Sequence, residues 1–134
     1  MTILPDDFLQ AARELNNQQS VAHPEARART VAGRSYYAAF LATRQTIRHA
    51  YGDPSFDVDH YVLCRRLRGD QDTHVSQIGV RLDGLRRLRT RSDYRLARTV
   101  SQSDAIKSVS DSNFVVRNLP NIASRIPPNI PRKS

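Results

Sequence analysis

Cysteine is nearly absent from this sequence, and several other scarcities narrow what the chain can be. Its 134 residues include one cysteine, Cys64, which rules out an internal disulfide and a cysteine-based zinc cluster. No run of about 18 apolar residues is present, so we expect no transmembrane helix and no membrane partner. The N-terminal stretch MTILPDDFLQ lacks a basic segment followed by an apolar one, which argues against a secretory signal. A cytoplasmic protein fits these observations best.

Motifs for metal ions and for phosphate loops are missing as well. The four histidines show no metal-ligand spacing, and neither a glycine-rich phosphate loop nor a Ser/His/Asp order stands out. We therefore predict no metal and no other cofactor.

Acidic residues are few compared with basic ones. The chain has 13 aspartates and glutamates against 21 lysines and arginines, which gives a net charge of +8 at pH 7. Nucleic acid is the first candidate for an acidic partner of such a protein. Nineteen of the basic residues are arginine. A GC-rich genome alone can produce that preference for arginine, but it would not produce the net charge.

The alternating pattern of β-strands is absent, whereas apolar residues recur at helical spacing. Pro5, followed by two aspartates, is typical of a first helical turn, and NNQQS at 16–20 interrupts that helix. A second helix is predicted from Pro24 to about residue 50, and Asp59 can cap a third. Apolar residues between 75 and 88 follow the spacing of a fourth helix.

A fifth helix and a proline-rich segment complete the chain. Ser103 and Asp104 can start this helix, Ile106 is among the residues predicted to face inward, and Pro120 is expected to end it. The segment 120–134, Pro120 included, has four prolines and no helical period, so it is extended, disordered or docked on a partner. We predict an all-α bundle of four or five helices over residues 1–119, with an extended proline-rich tail over 120–134.

The second helix has two faces that differ in composition and are therefore predicted to lie in different environments. Six residues on one face are typical of a core: Ala32, Tyr36, Ala39, Phe40, Thr43 and Ile47. The adjoining face combines apolar bodies with positive charge: Arg34, Tyr37, Leu41, Arg44 and Arg48. We expect this second face to meet a partner subunit, another protein or an acidic ligand; the alternative is that the long tail covers it.

Four short stretches together resemble the small HEPN domains of bacteria and archaea. They are RSYYAAF, DHYVLCRRL, LRRLRTRSDYRL and FVVRNL, and the resemblance covers about residues 5–120. The positions that match the family pattern are Arg34, Tyr36, Tyr37, His60, Arg91, Asp93 and Tyr94, and the arginine of the second motif can also be read as Arg89. The resemblance implies a helical bundle, usually a homodimer, often encoded beside a nucleotidyltransferase or in toxin–antitoxin and phage-defence loci.

Many HEPN proteins are metal-independent ribonucleases that carry an arginine and a histidine with four to six residues between them. Two pairs fit here, Arg68 with His74 and Arg44 with His49, although chance alone supplies about two such pairs in a chain so rich in arginine. Residues five apart on a helix point about 140° away from each other, which separates Arg44 from His49. Because a loop can bring Arg68 and His74 together, they are the preferred catalytic pair, and Arg44 with His49 is the alternative.

Arginine is concentrated between residues 65 and 98, where ten arginines stand against four aspartates. The simplest interpretation is a solvated helix face. The alternative is a groove that holds the backbone of RNA without reading its bases. The residues expected to bind nucleic acid are Arg65, Arg66, Arg86, Arg87 and Arg89.

Two functional hypotheses follow. The first is a HEPN-like component of a toxin–antitoxin or phage-defence system that binds or cleaves RNA. The second is a non-catalytic helical subunit that docks a partner enzyme, such as a nucleotidyltransferase antitoxin or a defence effector.

Overall fold

A computed structural model of the protein describes residues 4–17 and 23–133, and it is all-helical over these ranges. Five α-helices follow one another: α1 (Pro5–Asn16), α2 (Pro24–Tyr51), α3 (His60–Arg68), α4 (Thr73–Tyr94) and α5 (Gln102–Ile122). A short 3-10 turn, Ala123–Arg125, follows α5. The prediction of an all-α bundle is confirmed, with five helices. Most of the predicted interruption at 16–20 lies outside the described residues.

Local capping explains where three of the helices begin. Asp59 accepts a hydrogen bond from the backbone N–H of Val62 at 3.2 Å and starts α3, as predicted. Asp72 does the same for α4. The cap of α5 is Ser101 and not Ser103, because Ser101 and Asp104 bond reciprocally to each other's backbone N–H groups, a capping box.

Helix α2 is the centre of the bundle, and α1, α4 and α5 pack around it, while α3 packs against α4. All six residues predicted for its inward face are buried, so that prediction is confirmed. At Gly79 the backbone of α4 comes so close to α3 that a Cβ atom would collide with the backbone of Leu67 and Arg68. This contact fixes the end of α3, including Arg68, against α4.

Two predictions for α5 are wrong. Ile106 is 54% exposed rather than inward, because Ala105 and Ser108 occupy the buried face of this turn. The helix does not stop at Pro120 but continues to Ile122. Pro120 cannot donate a backbone hydrogen bond, which weakens the helix at that point. Ile122 is nevertheless fully buried, and its packing stabilises the last turn of the helix.

The C-terminal segment 126–133 is bound to its own chain. The hydroxyl of Tyr51, at the end of α2, donates to the carbonyl oxygen of Pro127 and accepts from the N–H of Ile130 at 3.2 Å. Ile130 is buried, and the N–H of Lys133 donates to the carbonyl oxygen of Asp57 at 2.9 Å. The segment therefore lies along the connection between α2 and α3. None of the described helices combines the length and the apolar character needed to cross a bilayer.

Candidate nucleic-acid interface

Three arginines converge on one nearly buried carboxylate, that of Asp83, whose side chain is 7% exposed. Arg68 Nη1 and Arg87 Nη2 lie 3.0 and 3.1 Å from Asp83 Oδ2, and Arg86 Nη2 lies 3.1 Å from Oδ1. Arg86 and Arg87 reach Asp83 along α4, since they follow it by three and four residues, and Arg68 arrives from the end of α3. One carboxylate thus orients three guanidinium groups and neutralises only one of their charges.

Two adjoining cavities continue from this cluster along α4. The first, about 430 Å³, lies between α3 and α4 around Asp83 and Tyr61. The second, about 400 Å³, extends past Thr90 to the segment after α4, and the two share Arg86 and Arg87. We call their joint surface the arginine groove, after the seven arginines that line it: Arg65, Arg68, Arg86, Arg87, Arg91, Arg95 and Arg98.

The wall of the second cavity depends on Arg29, a residue of α2. Its guanidinium donates to four carbonyl oxygens at and after the end of α4, those of Arg91, Ser92, Leu96 and Arg98. The same guanidinium forms an ion pair with Glu25 at 3.1 Å. The segment that carries Arg95 and Arg98 is therefore tied to α2.

Arg89 occupies a separate cluster beside the groove, together with residues of the HEPN-like motifs. Its Nη2 donates to the hydroxyl of Tyr37 at 2.8 Å, and its guanidinium carbon lies 5.2 to 5.9 Å from the ring centres of Tyr36, Tyr37 and Tyr94. Its Nε lies 3.0 Å from Asp93 Oδ2, an ion pair without hydrogen-bond geometry. Arg89 is thus the arginine that sits with the motif tyrosines.

Tyr36 and His60 form a hydrogen bond within this cluster. The hydroxyl oxygen of Tyr36 lies 2.7 Å from His60 Nδ1. Burial raises the pKa of Tyr36, so its hydroxyl stays protonated. Burial, and then the charge of Arg89, lower the pKa of His60, which keeps the imidazole neutral near pH 7. This bond joins the start of α3 to the core.

The other two motif arginines lie outside that cluster. Arg34 is exposed on α2. Arg91 points toward the second cavity and pairs with Asp104 at 3.2 Å.

The two candidate catalytic pairs are directed to different partners. Arg68 binds Asp83, whereas His74 Nδ1 lies 3.2 Å from Arg125 Nη1 and 3.7 Å from the carboxylate of Asp72. Arg44 pairs with Asp57 at 3.4 Å. His49 is exposed on the last turns of α2, beside an apolar groove at the ends of α1 and α5.

The predicted nucleic-acid residues are divided between the groove and its surroundings. Arg65, Arg86 and Arg87 line the groove. Arg66 pairs with Asp70 at 3.3 Å and donates to Asn129 of the C-terminal segment, and Arg89 lies in the tyrosine cluster.

Four groove arginines were not among the expected binding residues, namely Arg68, Arg91, Arg95 and Arg98. All four fall within the arginine-rich stretch 65–98, and this local enrichment is the feature of the sequence that could have identified them.

The second face of α2 is covered mainly from within the same chain. The ring of Tyr37 is half-buried, 6.4 Å from the ring of Phe8 in α1, and Leu41 packs against the main core. Helix α1, rather than the C-terminal segment, therefore lies over Tyr37.

No family model, no curated protein and no solved structure matches this chain. Within the part of the chain that the structure describes, no group of three or more His, Cys, Asp or Glu side chains is placed to hold a metal ion.

Proposed function

We propose that this protein binds RNA through the arginine groove and holds the phosphate backbone without reading bases. The observation that carries the proposal is the pair of adjoining cavities that seven arginines line, three of which meet at Asp83. Asp83 and Asp104 neutralise two of the seven positive charges, so that a clear positive excess faces solvent. An excess of positive charge along one groove is typical of surfaces that bind the phosphate backbone of nucleic acids.

Two properties of the basic residues support phosphate as the ligand: they are arginines, and three of them are held in fixed orientations. A guanidinium group presents a planar fork of donors that matches two phosphate oxygens, which a lysine cannot do. Because Asp83 already orients Arg68, Arg86 and Arg87, these side chains lose less conformational freedom on binding than free arginines would.

The resemblance to HEPN domains adds a biological setting, a component of a toxin–antitoxin or phage-defence system. Within that setting we propose binding as the activity, because Arg68 and His74 are directed to different partners. The alternative is the interaction subunit that docks a partner enzyme.

Fluorescence anisotropy with a labelled RNA, repeated over a series of salt concentrations, tests the proposal. Arg95→Glu/Arg98→Glu should weaken binding to all sequences about equally and make the slope of log affinity against log salt shallower by about 1.4 for single strands. The matched control is Arg117→Glu/Lys133→Glu, because these side chains are also exposed but lie outside the groove. Equal loss in both variants would reject the groove, and wild-type protein that fails to bind RNA at low salt would favour the interaction subunit.

A further inference from the structure

Tyr61 is an exposed aromatic ring inside the arginine groove. It is the second residue of α3, it lines the first cavity, and it is 48% exposed. Arg65 Nη1 donates to its hydroxyl at 2.9 Å, and the guanidinium carbon of Arg86 lies 5.2 Å from the centre of its ring. The ring is thus held in place by two arginines while half of its surface faces solvent.

An aromatic ring among phosphate-binding arginines has a chemical use that a lone exposed tyrosine lacks. Every nucleobase has a π-face that can stack on an aromatic ring. Tyr61 lines the same cavity as Arg65, Arg68 and Arg86, so a nucleotide whose phosphate binds one of these arginines has an aromatic ring beside it. The bases of a duplex are already stacked on each other, so that only an unpaired base can present its face to a protein ring.

We infer that Tyr61 is a stacking platform for one unpaired base, and that the arginine groove therefore prefers single-stranded to duplex RNA. This inference rests on the proposed function and names the form of RNA that the same groove takes. The competing explanation is that Tyr61 only supports Arg65 through its hydroxyl and Arg86 through its ring.

Two substitutions at position 61 separate these explanations. Tyr61→Phe keeps the ring and removes the hydroxyl that Arg65 bonds. Tyr61→Leu removes the ring and keeps an apolar side chain. If the ring stacks on a base, Tyr61→Phe should bind single-stranded RNA almost like the wild type, and Tyr61→Leu should bind it at least about fivefold more weakly. Binding of a duplex of the same sequence should change little in either variant.

A direct optical readout is possible because the chain contains no tryptophan. Tyr61→Trp introduces a single indole at the platform, and its fluorescence should fall as single-stranded RNA binds, saturating together with the anisotropy signal. Leu4→Trp is the control, since Leu4 is also exposed but lies at the start of α1, outside the groove. Its fluorescence should stay nearly constant.

The possible results also separate this inference from the proposed function. Equal affinity for duplex and single strand, unchanged binding by Tyr61→Leu, or an unquenched indole at position 61 would overturn the stacking platform and leave the phosphate groove standing. Failure of the wild type to bind either form of RNA at low salt would overturn both.

Discussion

Arg29 Nη1 lies 2.8 Å from the carbonyl oxygen of Ser92, in the last turn of α4. The side chain of Arg29 is 13% exposed, and its other contacts reach carbonyls as far along the chain as Arg98. Glu25, its ion-pair partner, also accepts a hydrogen bond from the N–H of Val100. Arg29 therefore sets the path of the segment 95–98, although it is not part of the groove.

Arg29→Lys should reduce RNA binding without changing the charge of the protein. One ammonium group cannot replace the planar fork that bonds several carbonyls, so the segment 95–98 should loosen and its two arginines should contribute less. We expect a salt slope close to that of Arg95→Ala/Arg98→Ala, and little further change when all three substitutions are combined.

Arg27→Lys is the matched control for this prediction, because Arg27 lies on the same helix but bonds Gln102. If Arg29→Lys kept the full wild-type salt slope, Arg29 would have no positioning role. Thermal unfolding of both variants measures any general loss of stability.

Asp83→Asn should destabilise the fold, because it removes the carboxylate shared by Arg68, Arg86 and Arg87. Two of these arginines are more than half exposed, so we expect a loss of about 1–2 kcal/mol in the free energy of unfolding. Urea denaturation measures this change.

Asp93→Asn is the comparison for Asp83→Asn, since Asp93 pairs with one arginine and is more exposed. Its loss should stay below about 0.5 kcal/mol. Equal effects of the two substitutions would mean that convergence on Asp83 adds no stability.

The burial of His60 beside the charge of Arg89 predicts how the free energy of unfolding depends on pH. The pKa of His60 in the folded protein lies below its ordinary value of 6.5, so the unfolded chain binds more protons between these two values. The contribution of neutral His60 should be complete above pH 6.5 and should decline as the pH falls below it.

Chemical denaturation between about pH 5 and 7 checks this dependence. His60→Gln should flatten the curve over that range. A curve that His60→Gln does not alter would contradict the prediction.

The Arg68 and His74 pair makes a separate prediction about cleavage. If His74 is the acid–base residue of a metal-independent ribonuclease, His74→Ala should lower cleavage by about two to four orders of magnitude. RNA binding by this variant should stay intact, because His74 lies beside Asp72 and Arg125, outside the groove.

Incubation of purified protein with total RNA, with and without chelator, measures cleavage, and Arg44→Ala/His49→Ala tests the alternative pair in parallel. Cleavage that persists in His74→Ala would reject His74 as the catalytic residue.

The helices and the inward face of α2 could be predicted because their causes are local. Asp59 caps its own helix, and Tyr36 and Phe40 are buried because the helical period places them on one side. The orientation of Ile106 was predicted wrongly because one apolar residue among small and polar ones does not determine which side of a helix faces the core. In this turn the buried positions are Ala105 and Ser108.

The shape of the candidate site could not be predicted, because it depends on contacts between distant positions. Arg29 and the carbonyls it binds are separated by 62 to 69 residues, and nothing near Arg95 or Arg98 in the sequence indicates that they are tied down. Composition indicated an arginine-rich region, and packing decided which of its arginines share one groove.

Gly79 sets the distance between α3 and α4, because it lets their backbones approach more closely than any side chain would allow. Its hydrogen atom separates the backbone of α4 from the backbone at the end of α3, and these helices form the two sides of the first cavity. The methyl group of a Gly79→Ala substitution would force the two helices apart. It would move Arg68 away from Asp83 and widen the cavity beside Tyr61. The width of the arginine groove is thus controlled from a position that carries no charge and does not line it.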